Sequence, residues 1–326
     1  MPEAAISFEE VRKVFPGAVQ PAVQNASFAV PRGHLVVLLG PSGCGKTTLL
    51  KLVNRLIELT AGRILVEGTD THQVPVAALR RRIGYVIQSV GLFPHMRVAR
   101  NVAVVPRLLG WDDARIARRV DELLELVGLP PAEYRARYPA QLSGGQQSRV
   151  GLARALAADP PIMLMDEPFA AIDNITRTRL QDELLHIQRT VRKTILFVTH
   201  DVDEALRLAD EIVVMREGQV VQYDTPLALL SRPADPFVAR LLGADDMVRR
   251  LSLIPAGSAV EPAQPGLPLE PALAPGDTLR QALNLLLASE RDALPVRDAA
   301  GTLLGQISLA RVRDVAGRPE VVREAC

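Results

Sequence analysis

The residues best suited to chemistry lie in Gly40-Pro41-Ser42-Gly43-Cys44-Gly45-Lys46-Thr47-Thr48. This run follows a continuous apolar stretch, Leu35–Leu39, and opens a helical pattern, Thr47–Leu56. Its glycines let backbone N–H groups turn inward around phosphate oxygens, and the helix start adds positive potential at the same point. Lys46 is placed to reach the β- and γ-phosphates of a nucleotide, and the Thr47 hydroxyl to coordinate Mg²⁺. The chain has only four lysines, Lys13, Lys46, Lys51 and Lys193, so a lysine inside this motif carries weight. Ile162-Met163-Leu164-Met165-Asp166-Glu167 supplies the complementary half. A strand ending in Asp sets a carboxylate beside the metal, and Glu167 can orient and polarise an attacking water. Alone, such a pair is more often a strand-end salt bridge; beside a phosphate loop it reads as chemistry.

A further phosphate cradle stands at Leu142-Ser143-Gly144-Gly145-Gln146, again ahead of a helix. Alone it would be an ordinary helix cap. One nucleotide does not need two cradles from one chain, so the economical reading gives this one to the nucleotide of another subunit.

The elements that must hold these motifs follow from hydrophobic period. Residues 5–15 and 23–30 alternate apolar and polar, as half-buried strands do. Residues 35–39, 162–165 and 194–198 are continuous apolar runs, the pattern of strands buried on both faces of a parallel sheet. Residues 211–215 and 218–223 read as a hairpin turning at Glu217-Gly218. Helical patterns lie between them at Asp113–Val127, Gly145–Ala158, Thr176–Val191 and Val202–Leu208, giving an α/β class. The stretch from about 95 to 160 predicts helices and no strand, hence a helical insert.

Composition sets the outer bounds. A length of 326 residues allows two domains at roughly 150 residues each. Apolar residues at 48% and charged residues at 23% fit a globular chain, and a formal charge of +1 gives no basic excess for a nucleic-acid partner. The two cysteines, Cys44 and Cys326, are expected as free thiols in a reducing compartment. Met1–Glu10 does not have the pattern of a signal peptide, and no apolar run approaches the roughly 20 residues that span a bilayer. Prolines at 255, 262, 265, 268, 271 and 275 suggest a linker over 244–267. A helix (Leu279–Ser289), a strand (Ala293–Val296), a turn (Asp298–Gly301), a strand (Leu303–Ser308) and a short helix follow.

Together the motifs over about residues 5–243 resemble the ATP-binding subunits of ATP-binding-cassette (ABC) transporters. The resemblance implies an α/β P-loop NTPase domain over 1–243, with a mostly parallel core sheet, an antiparallel β part and the helical subdomain at about 95–160. It implies that Gln88 touches Mg²⁺ and water, joining Thr47 and Asp166 as metal-site residues. It further implies that Asp173 acts across a subunit seam with Ser143, Gly144, Gly145 and Gln146, that His200 contacts the γ-phosphate, and that Phe15 stacks on adenine. Ala171-Ile172-Asp173 departs mildly from the commoner Ala-Leu-Asp. ATP and Mg²⁺ are the implied ligands, and the implied assembly is a homodimer closed around two ATP molecules.

Asn54-Arg55-Leu56 and Ile87-Gln88 followed by Gly91-Leu92-Phe93-Pro94 are similar to the quaternary-amine branch, which imports glycine betaine, choline, carnitine and related osmoprotectants. Ser89-Val90 and Ser148 differ from that branch's usual glutamines. Residues 268–318 resemble a single cystathionine-β-synthase-type (CBS) module, a small α+β domain before a tail at 319–326. A quaternary ammonium is commonly held by an aromatic cage. One Trp and four Tyr that do not cluster argue that recognition lies in partners. The implied partners are an integral permease and, indirectly, a substrate-binding protein, with the chain peripheral on the cytoplasmic face of the bacterial inner membrane. An importer of amino acids or polyamines is an alternative, and a soluble non-transport ABC ATPase is a further one.

Overall fold

The computed structural model describes residues 3–87, 91–170, 172 and 174–317. Gln88, Ser89-Val90, Asp173, Cys326 and the tail at 319–326 lie outside the described residues. In chain order the strands are β1 (Ala4–Lys13), β2 (Val23–Pro31), β3 (Leu35–Leu39), β4 (Ala61–Val66), β5 (Thr69–Asp70) and β6 (Ile83–Val86). They continue with β7 (Ile162–Asp166), β8 (Thr194–Thr199), β9 (Glu211–Arg216), β10 (Gln219–Asp224), β11 (Ala293–Arg297) and β12 (Leu303–Ser308).

Two compact units divide the chain, one ending at Tyr223 and one beginning at Asp224. The first is built on a six-stranded sheet of order β10-β9-β3-β8-β7-β6. From β9 through β6 the pairings are parallel. The apolar runs of β3, β7 and β8 are buried at every position, which explains their unbroken hydrophobicity. Register then decides geometry. Leu39 pairs with Thr199 and Asp166 with Val198, so the loops that begin with Gly40, Glu167 and His200 leave the sheet at one common edge. In parallel sheets that carboxyl edge is where ligands bind.

A second sheet, of order β2-β1-β4-β5, is antiparallel. Phe8 and Phe28 stack across β1 and β2 with ring centroids 4.3 Å apart. Both sheets share one core with the helix Lys46–Val53. Strands β4, β5 and β6 are not evident from the sequence. Strand β4 opens with the exposed residues Ala61-Gly62-Arg63, and β5 has two residues. Strand β6 carries Gly84, whose missing side chain is required because a Cβ there would lie 2.6 Å from the Ala155 carbonyl.

Residues 95–160 form the helices Val98–Val102, Val104–Leu108, Asp113–Leu126, Pro131–Tyr134 and Gly144–Leu156, with no strand among the described residues. Helix Asp113–Leu126 is capped by Asp112, which accepts from the Arg115 N–H and is held below the usual carboxylate range by that bond. Its buried stripe, Ile116, Val120, Leu123 and Leu124, has helical spacing.

In the second unit, residues 244–267 do not run free as a linker. They include the helix Met247–Leu251, and Leu251, Ile254, Ala256 and Ala259 are buried in that unit's core. The proline-rich strand fragments pair by short bridges: Leu279 N–H donates to Ile254, and Glu261 and Gln306 exchange backbone bonds of 3.0 and 2.9 Å. Extended proline-containing backbone still offers enough donors and acceptors for such pairings, which composition alone does not reveal. Helix Leu279–Ser289, the hairpin β11-β12 and helix Leu309–Gly317 complete the unit.

Strand β7 ends in Asp166 and leads directly into Glu167, so its packing should matter to both stability and site. Leu164→Ala, at a fully buried position, is expected to lower unfolding free energy by about 2–5 kcal/mol, measured by urea denaturation.

Candidate functional site

After β3 the chain turns through Gly40, Gly43 and Gly45 at φ 157°, 82° and 107°. Any side chain at the first or last would collide with backbone. A Cβ on Gly40 would sit 2.3 Å from the Met215 carbonyl oxygen, and one on Gly45 2.4 Å from that of Ala22. The helix Lys46–Val53 begins at Gly45 without a side-chain cap, leaving its first N–H groups suited to an anion. Lys46 is buried at its N-terminus. Its Nζ donates to the carbonyls of Gly40 at 2.7 Å and Pro41 at 2.9 Å, and lies 3.7 Å from Cys44 Sγ. Among the described residues no carboxylate hydrogen-bonds this ammonium. Cys44 is a buried free thiol.

Asp166 faces Lys46's helix from the end of β7. Its Oδ1 accepts from Thr47 Oγ1 at 2.8 Å, and it is only 6% exposed. Burial raises its pKa, with the Thr47 bond and the charges of Lys51 and Lys46 acting in the opposite sense. Tyr85, on neighbouring β6, is pushed up to about 12 by burial and by the Asp166 charge, so its hydroxyl stays protonated. An all-oxygen pair such as Thr47 and Asp166 suits a hard cation, and Mg²⁺ fits that donor set. A loop that excludes Cβ atoms, a buried ammonium and an uncapped helix start fit a phosphate chain.

Glu167 takes a left-handed backbone, φ 45°, held by its N–H donating to Val198 at 3.0 Å. Other non-glycine residues share that region in this chain, Glu217 in the β9-β10 turn among them, so the conformation alone is no marker. What distinguishes Glu167 is its partner: its Oε1 lies 3.1 Å from His200 Nδ1 at the end of β8. Lys46, Thr47, Asp166, Glu167 and His200 are thus brought to one edge by three parallel strands.

Ser143 caps the helix Gly144–Leu156, with its hydroxyl accepting from Gln146 N–H and its own N–H donating to Gln146 Oε1 at 2.9 Å. Gln146 Nε2 donates to the Tyr134 hydroxyl at 3.0 Å. Ser143 and Gly144 are exposed, and their hydrogen bonds among the described residues stay within 134–148. The second cradle is therefore formed but turned to solvent. Phe15 lies beyond the end of β1 and is 39% exposed, with Lys13 Nζ 4.9 Å from its ring centre. It is carried by the loop ending at Ala22, the residue whose carbonyl abuts Gly45. The predicted roles of Gln88 and Asp173 fall outside the described residues.

Two residues near the site have no motif-level signal. Arg177 donates to Asp201 at 3.4 Å and to the Ile172 carbonyl at 3.0 Å. Asp201 adjoins His200, but nothing in the sequence pairs it with Arg177.

Burial makes the ionised form of Asp166 costly. Because its folded-state pKa is raised, the fold favours the protonated acid, a contribution present at low pH and lost as pH rises through the folded pKa. Asp166→Asn keeps an acceptor for Thr47 and removes the charge. Nucleotide-free Asp166→Asn is expected to melt higher than the parent at pH 8, with the difference fading toward pH 4. Calorimetry across that range checks it.

Residues 23–170 match the ABC transporter family model. The chain is 44% identical over 315 residues to the osmoprotectant import ATP-binding protein OsmV of Salmonella typhimurium, covering 96% of this chain and 81% of that one. It is 48% identical over 305 residues to the glycine betaine uptake system ATP-binding protein YehX of Escherichia coli K12, covering 93% and 97%. Among solved structures it resembles the dimeric post-hydrolysis state of the ATP-binding cassette MJ0796 bound to ADP and Pi. The TM-score is 0.61 at 29% identity, over 68% of this chain and 98% of that one. With a phosphate loop, an acidic strand end and a second cradle on one α/β scaffold, the chain belongs to the ABC transporter family, among its ATP-hydrolysing, ATP-binding proteins.

Proposed function

We propose that this chain powers an importer of quaternary-amine osmoprotectants such as glycine betaine, choline or carnitine. Five relatives named for osmoprotectant, glycine betaine, carnitine or choline transport or uptake share 41–48% identity over at least 93% of the chain, and this carries the reading. A trimethylamine N-oxide system of Ruegeria pomeroyi, 41% identical over 90% of the chain, belongs to the same chemical class of methylated amines.

Lys46 and the loop from Gly40 through Gly45 hold the β- and γ-phosphates of ATP, with Ser42 and Thr48 beside them, and Phe15 offers a ring to adenine. Mg²⁺, held by Thr47, Asp166 and Gln88, would supply charge neutralisation on the phosphates. Glu167 takes the proton of the attacking water as its oxygen bonds to the γ-phosphorus and the bond to the bridging oxygen breaks, leaving ADP and phosphate. His200, already beside Glu167, contacts the transferred group. The exposed Ser143-Gly144-Gly145-Gln146 cradle and Asp173 complete the site of a second copy, so that ATP forms part of the dimer seam. Loss of the γ-phosphate weakens that seam, and the opening drives a membrane permease fed by a substrate-binding protein.

Placement on the cytoplasmic face of the bacterial inner membrane follows from that partnership. Among the described residues no helix is long and apolar enough to cross a membrane. The helix–strand–strand–helix arrangement over 268–317 supports a CBS-like reading of that segment.

Glu167→Gln is expected to bind ATP as the parent does while its steady-state hydrolysis falls by about 10²-fold or more. Hydrolysis at the parental rate would reject Glu167 as the base. For the cargo, deletion of this chain should abolish uptake of labelled glycine betaine or choline at high osmolarity and leave proline and putrescine uptake intact. The reverse pattern would move the chain to amino-acid or polyamine import.

A further inference from the structure

One side chain ties together the two segments that carry the hydrolytic pair. Arg177 Nη1 donates to Asp201 Oδ2 at 3.4 Å, and Nη2 donates to the Ile172 carbonyl at 3.0 Å. Asp201 directly follows His200. Its other oxygen, Oδ1, accepts from the Glu204 N–H at 3.1 Å and caps the helix Val202–Leu208, while its own N–H donates to Thr199 Oγ1 at 3.0 Å. The residues on both sides of His200 are therefore anchored, one by sheet pairing and one by Arg177 and the helix. At the other end of the guanidinium, Ile172 closes a chain of turns that starts at the base: Ala170 N–H donates to Glu167, and Ile172 N–H to Phe169, each at 3.2 Å. Glu167, Ala170, Arg177, Thr199, His200 and Asp201 line one cavity.

We infer that Arg177 is a positioning residue for ATP hydrolysis, fixing the His200 segment against the Glu167 segment by bridging Asp201 and the Ile172 carbonyl. The inference rests on Glu167 and His200 being the hydrolytic pair. Among the described residues, no hydrogen bond or ion pair joins Arg177 to the His200 side chain, and its own bonds go to Asp201 and Ile172. It acts through Asp201 on one side and through backbone on the other, and it keeps the two groups at their 3.1 Å approach. A planar guanidinium suits this task because its two terminal nitrogens point to separate acceptors in a fixed fork; an ammonium offers a single point. The helices carrying Arg177 and Asp201 have independent ties, Gln181 Nε2 to Glu204 at 3.0 Å and Arg207 to Asp182 at 2.6 Å, so loss of Arg177 leaves the fold held.

The test uses the full chain with Mg-ATP and the variants Arg177→Gln, Arg177→Lys, Asp201→Asn and the double Arg177→Gln/Asp201→Asn, with Glu167→Gln as reference. Asp201→Asn retains the helix-capping oxygen and removes the charge that faces Arg177. Small misplacements of reacting groups cost up to about 10²-fold, so Arg177→Gln and Asp201→Asn are each expected to lower kcat about 10-fold, with KM for ATP and melting temperature little changed. Arg177→Lys should recover part of kcat. The double variant should be no slower than the slower single, because both remove one linkage. Parental kcat in Arg177→Gln, a loss confined to KM, or additive losses in the double variant would overturn the positioning role. Parental turnover in Glu167→Gln would instead overturn the reading of the hydrolytic pair itself.

Discussion

A lysine ammonium and an aspartate carboxylate are kept nearly out of water at the end of a fully apolar sheet, and the rest of the cassette is organised around that concentration of charge. Neither group is at rest there. Among the described residues, Lys46 is satisfied only by loop carbonyls and a thiol, and burial pushes Asp166 toward protonation. Such groups destabilise a fold unless something of opposite charge completes them. On the proposed function, a metal-bound triphosphate would do so for both at once, with negative charge for Lys46 and a cation for Asp166. The glycines follow from the same constraint. The loop must come so close to the Met215 and Ala22 carbonyls that side chains at Gly40 and Gly45 are sterically excluded.

The helical segment is joined to this core by directed contacts. Helix Gly144–Leu156 lies close against β6 at Gly84, and Arg154 from that helix donates to the Gly91 carbonyl at 2.6 Å. Burial lowers the Arg154 pKa. Asn101, fully buried, accepts from Phe93 N–H and donates to the Phe93, Met96 and Arg97 carbonyls, which fixes the turn after Gly91. Arg149 Nε lies 3.3 Å from Glu183 on the helix Asn174–Val191. The helix that begins with the second cradle is thus braced against both the sheet and the loop beyond Gln88.

Legibility in the sequence followed physical signal strength. Buried parallel strands announce themselves because both faces demand apolar residues, and this is why β3, β7 and β8 could be read closely. The phosphate loop and the acidic strand end were legible because each depends on residue types that few other structures need together. Strands β4 and β6 were not. One starts with exposed residues, and the other contains a glycine whose purpose, making room for Ala155, exists only in three dimensions. The proline-rich stretch at 244–267 misled for a related reason: composition reports stiffness and missing donors, but not that Ile254 and Ala256 find a core. Arg177 had no signal either, since its partners, Asp201 and the Ile172 carbonyl, become neighbours through folding.

The central claim is that ATP is shared between two copies, with the phosphate loop of one facing the exposed Ser143 of the other. Sedimentation of hydrolysis-deficient Glu167→Gln protein tests it most directly, run with ATP and Mg²⁺ or with ADP, and with or without an added Ser143→Phe substitution. The account predicts a dimer only with ATP and only when Ser143 is intact. A monomer under every condition, or a dimer indifferent to both nucleotide and Ser143, would contradict it.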